Sequence, residues 1–344
     1  MSFKIPSKLK NLKPYTPDEL VFPVALNANE SPNRKDLMTF GKILSQIKTN
    51  RYPDPLATEL CEVYGDFLGV KPELITAGNG SDELISVVTQ TFLEKGNKIA
   101  ILEPDFSMYE FYASINECEV VRFQKSADLK INADDVLLKI KENRINMLIF
   151  SNPCSPTSLG LSREDVRKIV KNSDCLVVLD EAYMDFWDQS LALEVESFEN
   201  LIILRTASKM AGLASLRLGF ALANKTLTSY LKAAKSPYNV NSLTQIIACE
   251  IFKNKDLLTK NREEILHNTK QLYEELSSVK SLKIFETCTN FLLVEPQDVD
   301  LLDQHLKQNG ILVRKIGKYL RITTGTKKEN TAVITAIKNF SKEN

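Results

Sequence analysis

The segment Leu201-Ile-Ile-Leu-Arg205-Thr-Ala-Ser-Lys209 begins as a short apolar run and ends with a lysine among small residues. Similar apolar runs recur between residues 71 and 222 and alternate with helical patterns, which predicts an α/β fold. Because these runs are nearly continuous, they indicate strands that helices cover on both faces, and hence a mostly parallel sheet. The other predicted strands cover residues 99–102, 119–123, 147–151, 175–180 and 218–222, with a weaker signal at 74–77.

The pattern changes after residue 222, where helices follow one another and a long charged helix over 256–278 is expected to link two domains. Candidate strands at 282–285, 291–294, 311–313 and 319–322 lie between helices at 299–308 and 328–340, which predicts a smaller α+β lobe. The first 45 residues contain several prolines and no strong periodicity, and are typical of an extended arm. The predicted organisation is therefore an arm that joins the small lobe (1–45), a large cofactor-binding domain (46–235), and the linking helix with the small domain (236–344).

The composition excludes several classes of function. Lys+Arg 44 balance Asp+Glu 44, so no overall field favours nucleic acid or an anionic membrane as a partner. No segment approaches eighteen uninterrupted apolar residues, and we expect a cytoplasmic protein. The six cysteines form no Cys-x-x-Cys pair and there are only two histidines, so we expect no metal site and a proton carrier other than histidine.

Polar side chains follow three neighbouring predicted strands. Asn152 follows the strand at 147–151, Asp180 and Tyr183 follow that at 175–180, and Lys209 follows that at 201–205. Since ligands of open α/β sheets gather at the carboxyl ends of the strands, these side chains are expected to share one edge. Taken singly, Asp180 is also compatible with a helix cap and Asn152 with a turn before proline.

These residue types match the needs of pyridoxal phosphate chemistry. Asp180 can keep the pyridine nitrogen protonated, which makes the ring an electron sink. Asn152 and Tyr183 can hydrogen-bond the ring's phenolic oxygen. Lys209 can form a Schiff base and then carry the proton between the substrate carbon and the cofactor. Arg217, eight positions further on, can lower the pKa of Lys209 and can hold a phosphate.

The segment Gly78-Asn-Gly80-Ser81-Asp82-Glu83 is a candidate phosphate site at the start of a helix over 82–93. Glycines free the turn, Ser81 can cap the helix, and the helix amides favour an anion. The rival interpretation, a dinucleotide fingerprint, is weakened because Glu83 stands where that motif has glycine. Tyr109 is predicted either to stack on the cofactor ring or to be an ordinary packing aromatic.

Together these motifs resemble the fold-type I pyridoxal phosphate aminotransferases, and among them the histidinol-phosphate aminotransferase family. The resemblance covers nearly the whole chain and implies a mostly parallel seven-stranded sheet, with helices on both faces, and a smaller α+β lobe. The most discriminating segments are Arg51-Tyr-Pro-Asp54 and Leu320-Arg-Ile-Thr-Thr-Gly-Thr326, with Leu26-Asn-Ala-Asn29-Glu-Ser-Pro32, Phe106-Ser-Met-Tyr109 and Asp180-Glu-Ala-Tyr183 in support.

The resemblance implies a residue-by-residue site in a homodimer that acts on histidinol phosphate and glutamate or 2-oxoglutarate. Lys209 is implied to carry pyridoxal phosphate, and Tyr52 is implied to reach the phosphate of the neighbouring subunit. The other implied cofactor residues are Gly80, Ser81, Asp82, Tyr109, Asn152, Asp180, Tyr183, Thr206, Ser208 and Arg217. The implied substrate residues are Tyr15, Asn29, Arg314 and Arg321.

One loop departs from the family pattern. The family usually shows Asn-Pro-Asn-Asn-Pro-Thr-Gly, whereas this chain has Asn152-Pro-Cys154-Ser155-Pro-Thr-Ser158, so the loop can differ in shape. The alternatives left open are a threonine-phosphate decarboxylase, an aromatic aminotransferase, a non-enzymatic cofactor-binding regulator, and a nucleotide-dependent oxidoreductase.

Overall fold

The computed structural model describes residues 8, 22–33, 40–45 and 47–343. These residues form twelve strands and eleven α-helices, numbered in chain order. The strands are β1 Val24–Leu26, β2 Ile75–Gly78, β3 Lys98–Glu103, β4 Glu119–Gln124, β5 Met147–Ser151, β6 Leu176–Asp180, β7 Leu201–Thr206, β8 Gly219–Ala223, β9 Leu282–Ile284, β10 Phe291–Pro296, β11 Ile311–Ile316 and β12 Tyr319–Thr323. The helices are α1 Gly41–Leu44, α2 Thr58–Leu68, α3 Ser81–Phe92, α4 Met108–Ile115, α5 Ala133–Asn143, α6 Arg163–Asn172, α7 Lys225–Ala234, α8 Ser242–Lys253, α9 Lys255–Ser277, α10 Val299–Gln308 and α11 Lys327–Glu343.

The larger sheet has seven strands in the order β2-β8-β7-β6-β5-β3-β4. Strand β8 runs antiparallel to both of its neighbours, and the other pairings in this sheet are parallel. The predicted mostly parallel α/β sheet is therefore confirmed. The short strand β2, which carries the weakest sequence signal, lies at one edge.

Successive residues of the central strands enter two separate hydrophobic cores. In β5, Leu148 and Phe150 belong to one core and Met147 and Ile149 to the other. Because side chains alternate along a strand, a strand between two helical layers needs apolar residues at every position. This is the physical reason for the continuous apolar runs of the sequence.

The smaller sheet has the order β1-β11-β12-β10-β9, with a parallel pairing between β1 and β11. Strand β1 comes from the predicted arm, and Leu26 is buried in the small lobe's core. Helix α9 joins the two regions, since Leu258 and Ile265 pack in the large core whereas Leu272 and Leu276 pack in the small one.

The domain boundaries at residues 45 and 235 remain predictions. Helix α8, which follows residue 235, places Ile247 and Phe252 in the core of the larger sheet. Ser162 caps helix α6, because its hydroxyl accepts a hydrogen bond from the Asp165 amide at 3.1 Å.

Candidate active site

Asp180 is the last residue of β6 and is only 4% exposed. Its carboxylate accepts hydrogen bonds from the Tyr109 hydroxyl at 2.8 Å and from the Ala182 amide at 3.1 Å. Burial raises the pKa of Asp180 to about 6, and these hydrogen bonds oppose the rise. Among the described residues no cation forms a salt bridge with this carboxylate. Asp180 is thus a buried carboxylate that can pair with a positively charged group of a ligand.

The register of three strands brings the predicted phosphate residues together. Thr206 of β7 lies opposite Gly219 of β8, and Gly219 lies opposite Gly78 of β2. A Cβ at Gly219 would lie 2.3 Å from the Ser81 amide nitrogen, so only glycine lets β8 pack on the start of α3. The amino end of α3 therefore lies against the carboxyl end of β7.

Gly80 and Arg217 lie at the same place, and together with the start of α3 they form a candidate phosphate cradle. Gly80 has a φ of +89°, in the left-handed region that favours glycine, and a Cβ there would lie 2.9 Å from Arg217 Nη2. The guanidinium thus lies beside the free amides at the start of α3, where an anion is favoured from both sides. The expected capping role of Ser81 is wrong, because Gly80 is the N-cap residue and Ser81 is the first helical residue.

The remaining predicted phosphate residues are buried nearby. The Thr206 hydroxyl lies 3.0 Å from the Ser208 hydroxyl and accepts a hydrogen bond from the Ser208 amide at 3.2 Å. Burial raises the pKa of Asp82, whereas a hydrogen bond from Tyr112 and the charge of Arg217 oppose this rise. Asp82 therefore lies close enough to Arg217 for the two charges to interact.

Lys209 and Tyr183 face each other across the site. The Lys209 ammonium donates to the Ala28 carbonyl at 3.3 Å and lies 5.5 Å from the centre of the Tyr183 ring. The Tyr183 hydroxyl accepts a hydrogen bond from Asn29 Nδ2 at 2.8 Å. Burial raises the pKa of Tyr183, but the charges of Lys209 and Arg321 and its hydrogen bonds outweigh this, so the pKa lies below the usual value.

Arg321 projects from β12 toward the same space. Its Nη1 donates to the Ser155 hydroxyl at 2.8 Å, its Nη2 donates to the Asn27 carbonyl at 2.7 Å, and the guanidinium lies 5.5 Å from the centre of the Phe291 ring. Arg314 lies directly opposite Arg321 in the antiparallel pair of β11 and β12, so both project from one face. The Arg314 side chain is exposed.

The arm segment 27–29 contacts three side chains of this centre. It contacts Arg321 through Asn27, Lys209 through Ala28 and Tyr183 through Asn29. Asn29 is held in a left-handed conformation with a φ of 52°, and its amide oxygen accepts from the Thr323 hydroxyl at 2.8 Å. The arm therefore forms one wall of the site.

The side chains of two predicted residues, Asn152 and Tyr52, make their contacts outside this cluster. The Asn152 side chain accepts a hydrogen bond from the Leu161 amide at 2.7 Å and donates to the Leu161 carbonyl at 3.1 Å, and the Asn152 amide donates to the Asp180 carbonyl at 2.8 Å. Tyr52 is 82% exposed and stacks on Tyr238. Tyr15 lies outside the described residues. The roles of all three remain predictions.

Ser155 and Thr323 belong to the site but were missed by sequence reasoning. Ser155 hydrogen-bonds both Arg321 and the Tyr183 hydroxyl, whereas the sequence identified it only as a departure from the family loop. Thr323 follows Arg321 by two residues and therefore points to the same face of β12. That period of two is the signal that could have found it.

Two findings bear on partners. Within the described ranges no helix combines the length and apolar character needed to cross a bilayer. The same residues contain no group of three or more histidine, cysteine, aspartate or glutamate side chains that could hold a metal ion.

The family model of the class I and II aminotransferases matches residues 10–337. The chain belongs to this family. Within it, the chain is similar to the histidinol-phosphate aminotransferase of Clostridium novyi (strain NT), at 39% identity over 338 residues that cover 96% of this chain and 95% of that protein. It is also similar to the histidinol-phosphate aminotransferase of Clostridium kluyveri (strain ATCC 8527), at 37% identity over 342 residues and 97% of both chains.

A solved structure is also similar to this chain. It is the histidinol-phosphate aminotransferase from Sinorhizobium meliloti in complex with pyridoxal-5'-phosphate, with a TM-score of 0.90 over 99% of both chains at 18% identity. At that identity the likeness shows the fold alone. The fold and family expected from the sequence are confirmed.

Proposed function

We propose that this aminotransferase moves an amino group between L-histidinol phosphate and 2-oxoglutarate, with pyridoxal phosphate as its cofactor. The observation that carries the proposal is the similarity, over nearly the whole chain, to proteins that are named for this reaction. The site supports it, because an acid, a lysine and an arginine converge on one space.

The residues fit this cofactor at both of its ends. Asp180 is a buried carboxylate with a raised pKa, which suits a protonated ring nitrogen better than water or an apolar group. The amides at the start of α3, with Arg217 against Gly80, suit a phosphate. When bound, pyridoxal phosphate supplies an electron sink for the electron pair left on the substrate carbon after a proton departs.

The side chains around this space have separate tasks. Lys209 anchors the cofactor and carries the proton, because its Nζ is the amine that faces the Tyr183 ring. Tyr183 releases its proton more readily than an ordinary tyrosine, so its oxygen can accept a hydrogen bond in the site. The Asp180 carboxylate stabilises the positive charge of the ring nitrogen at the other end of the cofactor. The hydrogen bond from Tyr109 fixes the orientation of this carboxylate.

Arg321 is proposed to bind the anionic end of both substrates. One enzyme must accept a carboxylate from glutamate and a phosphate from histidinol phosphate, and a planar guanidinium binds either group with two parallel hydrogen bonds. The two hydrogen bonds that Arg321 makes to Ser155 and Asn27 hold it in one orientation before substrate arrives. Arg314 and Tyr15 are proposed to assist.

A side-by-side assay tests the substrate. Histidinol phosphate, aromatic amino acids and threonine phosphate are each supplied with 2-oxoglutarate, and transamination is scored against release of carbon dioxide. The proposal predicts that histidinol phosphate has the highest kcat/KM and that no carbon dioxide is released. Decarboxylation of threonine phosphate, or a preference for aromatic amino acids, would overturn it.

A homodimer in the cytoplasm is part of the same proposal, with Tyr52 serving the partner's cofactor phosphate. The exposure of Tyr52 supports this, since in its own chain it touches none of the phosphate residues described above. Mixing the inactive variants Tyr52→Ala and Lys209→Ala should restore activity, because each heterodimer has one intact site. Subunit exchange without recovery would contradict shared sites.

A further inference from the structure

Two exposed tyrosines form a stacked pair at the surface. The rings of Tyr52 and Tyr238 lie 4.6 Å apart with an angle of 19° between them. Tyr52 is 82% exposed and Tyr238 is 41% exposed. Tyr238 also has a φ of 60°, a left-handed conformation that is unusual for a bulky residue and that persists only where its surroundings impose it. The pair therefore needs an internal support.

Lys235 supplies that support. It lies just after helix α7, is 7% exposed, and donates from Nζ to the Pro55 carbonyl at 2.7 Å and to Asn239 Oδ1 at 2.8 Å. Pro55 belongs to the loop of Tyr52, and Asn239 directly follows Tyr238. A single buried ammonium group thus joins the two loops that carry the stacked rings.

Asn239 also connects Lys235 to the glycine turn 78–80 of the same chain, which is the candidate phosphate site and is called the phosphate turn below. Asn239 Nδ2 donates to Glu83 Oε2 at 2.7 Å, and the same oxygen accepts from the Asn79 amide at 2.5 Å. Asn79 precedes Gly80, which lies against Arg217. Lys235 is therefore placed between two phosphate sites: the turn of its own chain and the site that Tyr52 would serve in a second copy.

We propose that Lys235 is a positioning residue for the neighbouring subunit: it holds the Tyr52–Tyr238 pair in the orientation that receives the cofactor phosphate of a second copy of this chain. This inference rests on the proposed homodimer with shared sites. Its alternative is an effect within one subunit, in which Lys235 supports only its own phosphate turn through Asn239 and Glu83.

The first experiment compares Lys235→Met with Lys232→Met. Both remove one positive charge from the same part of the chain, but Lys232 lies within α7, is half-buried, and makes neither of the Lys235 hydrogen bonds. The dissociation constant of pyridoxal phosphate is measured from the absorption band of the lysine-bound cofactor. Lys235→Met should weaken binding by about tenfold, because two hydrogen bonds of a charged donor are lost, and Lys232→Met should leave it unchanged.

The second experiment assigns the effect to one subunit or the other. Heterodimers of Lys235→Met and Lys209→Ala contain one site that can hold the cofactor covalently, and that site receives Tyr52 from the chain in which Lys235 is intact. The proposal predicts wild-type affinity at this site. A site that stays tenfold weaker overturns it in favour of the alternative within one subunit.

The remaining outcomes separate this inference from the homodimer itself. If the wild-type protein sediments as a monomer, there is no shared site, and both the homodimer and this inference are overturned before any variant is made. If the protein is a dimer but the Lys235→Met variant binds the cofactor as tightly as wild type, only the proposed role of Lys235 is overturned. Should Lys235→Met fail to fold, Asn239→Ala removes the same link from a half-buried loop residue and carries the same predictions in both experiments.

Discussion

Asp180 and Glu181 are consecutive buried carboxylates at the end of β6, yet their surroundings differ. Glu181 Oε2 lies 2.8 Å from Arg205 Nε and accepts a hydrogen bond from the Ser190 hydroxyl at 2.7 Å. Arg205 in turn reaches Asp185 at 3.0 Å. Asp180 has instead a phenol and an amide as hydrogen-bond donors.

One end of a strand can thus serve both stability and function. Consecutive side chains of a strand leave on opposite faces, so the two acids enter different environments. Burial raises the pKa of Glu181, and Arg205 opposes that rise from within the protein. The charge of Asp180 has no such permanent partner among the described residues. The paired side therefore stabilises the fold, whereas the other side is prepared for a cationic ligand.

The largest expected effect is that of Lys209→Ala. This change removes both the covalent anchor and the proton carrier, so kcat should fall by at least about 10⁴-fold. The free energy of unfolding should change by less than about 0.5 kcal/mol, because the Lys209 side chain is only half-buried and lies in the candidate active site rather than in a core. Steady-state kinetics and urea unfolding measure the two effects, and borohydride reduction with peptide mapping identifies the modified residue. A label on another lysine would contradict the assignment.

Glu181→Gln and Asp180→Asn are a matched pair that tests the comparison directly. Glu181→Gln breaks a buried ion pair and should lower the free energy of unfolding by about 3 to 5 kcal/mol. Its kcat per folded molecule should stay near the wild-type value.

Asp180→Asn should show the opposite pattern. The cofactor should still bind, while kcat falls by about 10²- to 10³-fold, because a charge-stabilising group is lost from a dry site. Urea unfolding and kinetics on the same preparations check both variants. If both variants lost stability and kept turnover, the division between the two faces would be wrong.

Much of the fold could be predicted because its information is local. The continuous apolar runs correspond to strands β3 to β8, and the long charged pattern corresponds to α9. Helix α4, by contrast, was not predicted, although Tyr109 lies on it. Its eight residues are too few to show a clear helical period.

The site was predicted less completely because its contacts join distant segments. Arg321 bonds the carbonyl of Asn27, 294 positions away, and the hydroxyl of Ser155, 166 positions away. Nothing in a local pattern indicates such a pairing. The glycine turn at the start of α3 was predicted more fully, since a glycine turn before a helix carries its own signal.

Arg321→Ala should impair both half-reactions while leaving the cofactor spectrum intact. Loss of a charge-assisted contact to a buried anion costs about 2 to 5 kcal/mol, so the rate constant for each substrate should fall by at least about 30-fold. Arg314→Ala is the control on the facing strand and should cost less, because its side chain is exposed. Stopped-flow measurements with glutamate and histidinol phosphate test this separately. An Arg321 variant impaired with glutamate alone would show that the two anions use different sites.

The smallest expected effect is a pH dependence of stability in the cofactor-free protein. The pKa of Asp180 rises from an ordinary 3.8 to about 6 in the folded state because of burial. Between these values the folded chain keeps a proton that the unfolded chain releases. The stability that this proton contributes is fully present below about pH 4 and is lost as the pH rises through about 6, to a total of at most about 3 kcal/mol.

Urea unfolding of wild type and Asp180→Asn between pH 4 and pH 8 isolates this contribution, since the other buried acids are common to both proteins. Wild type should lose stability relative to the variant as the pH rises. Saturating pyridoxal phosphate should reverse the trend, because a protonated ring nitrogen then supplies the cation that Arg205 supplies to Glu181. A difference that does not vary with pH in the cofactor-free protein would mean that folding does not raise the pKa of Asp180, and the contrast between the two carboxylates would then lose its basis.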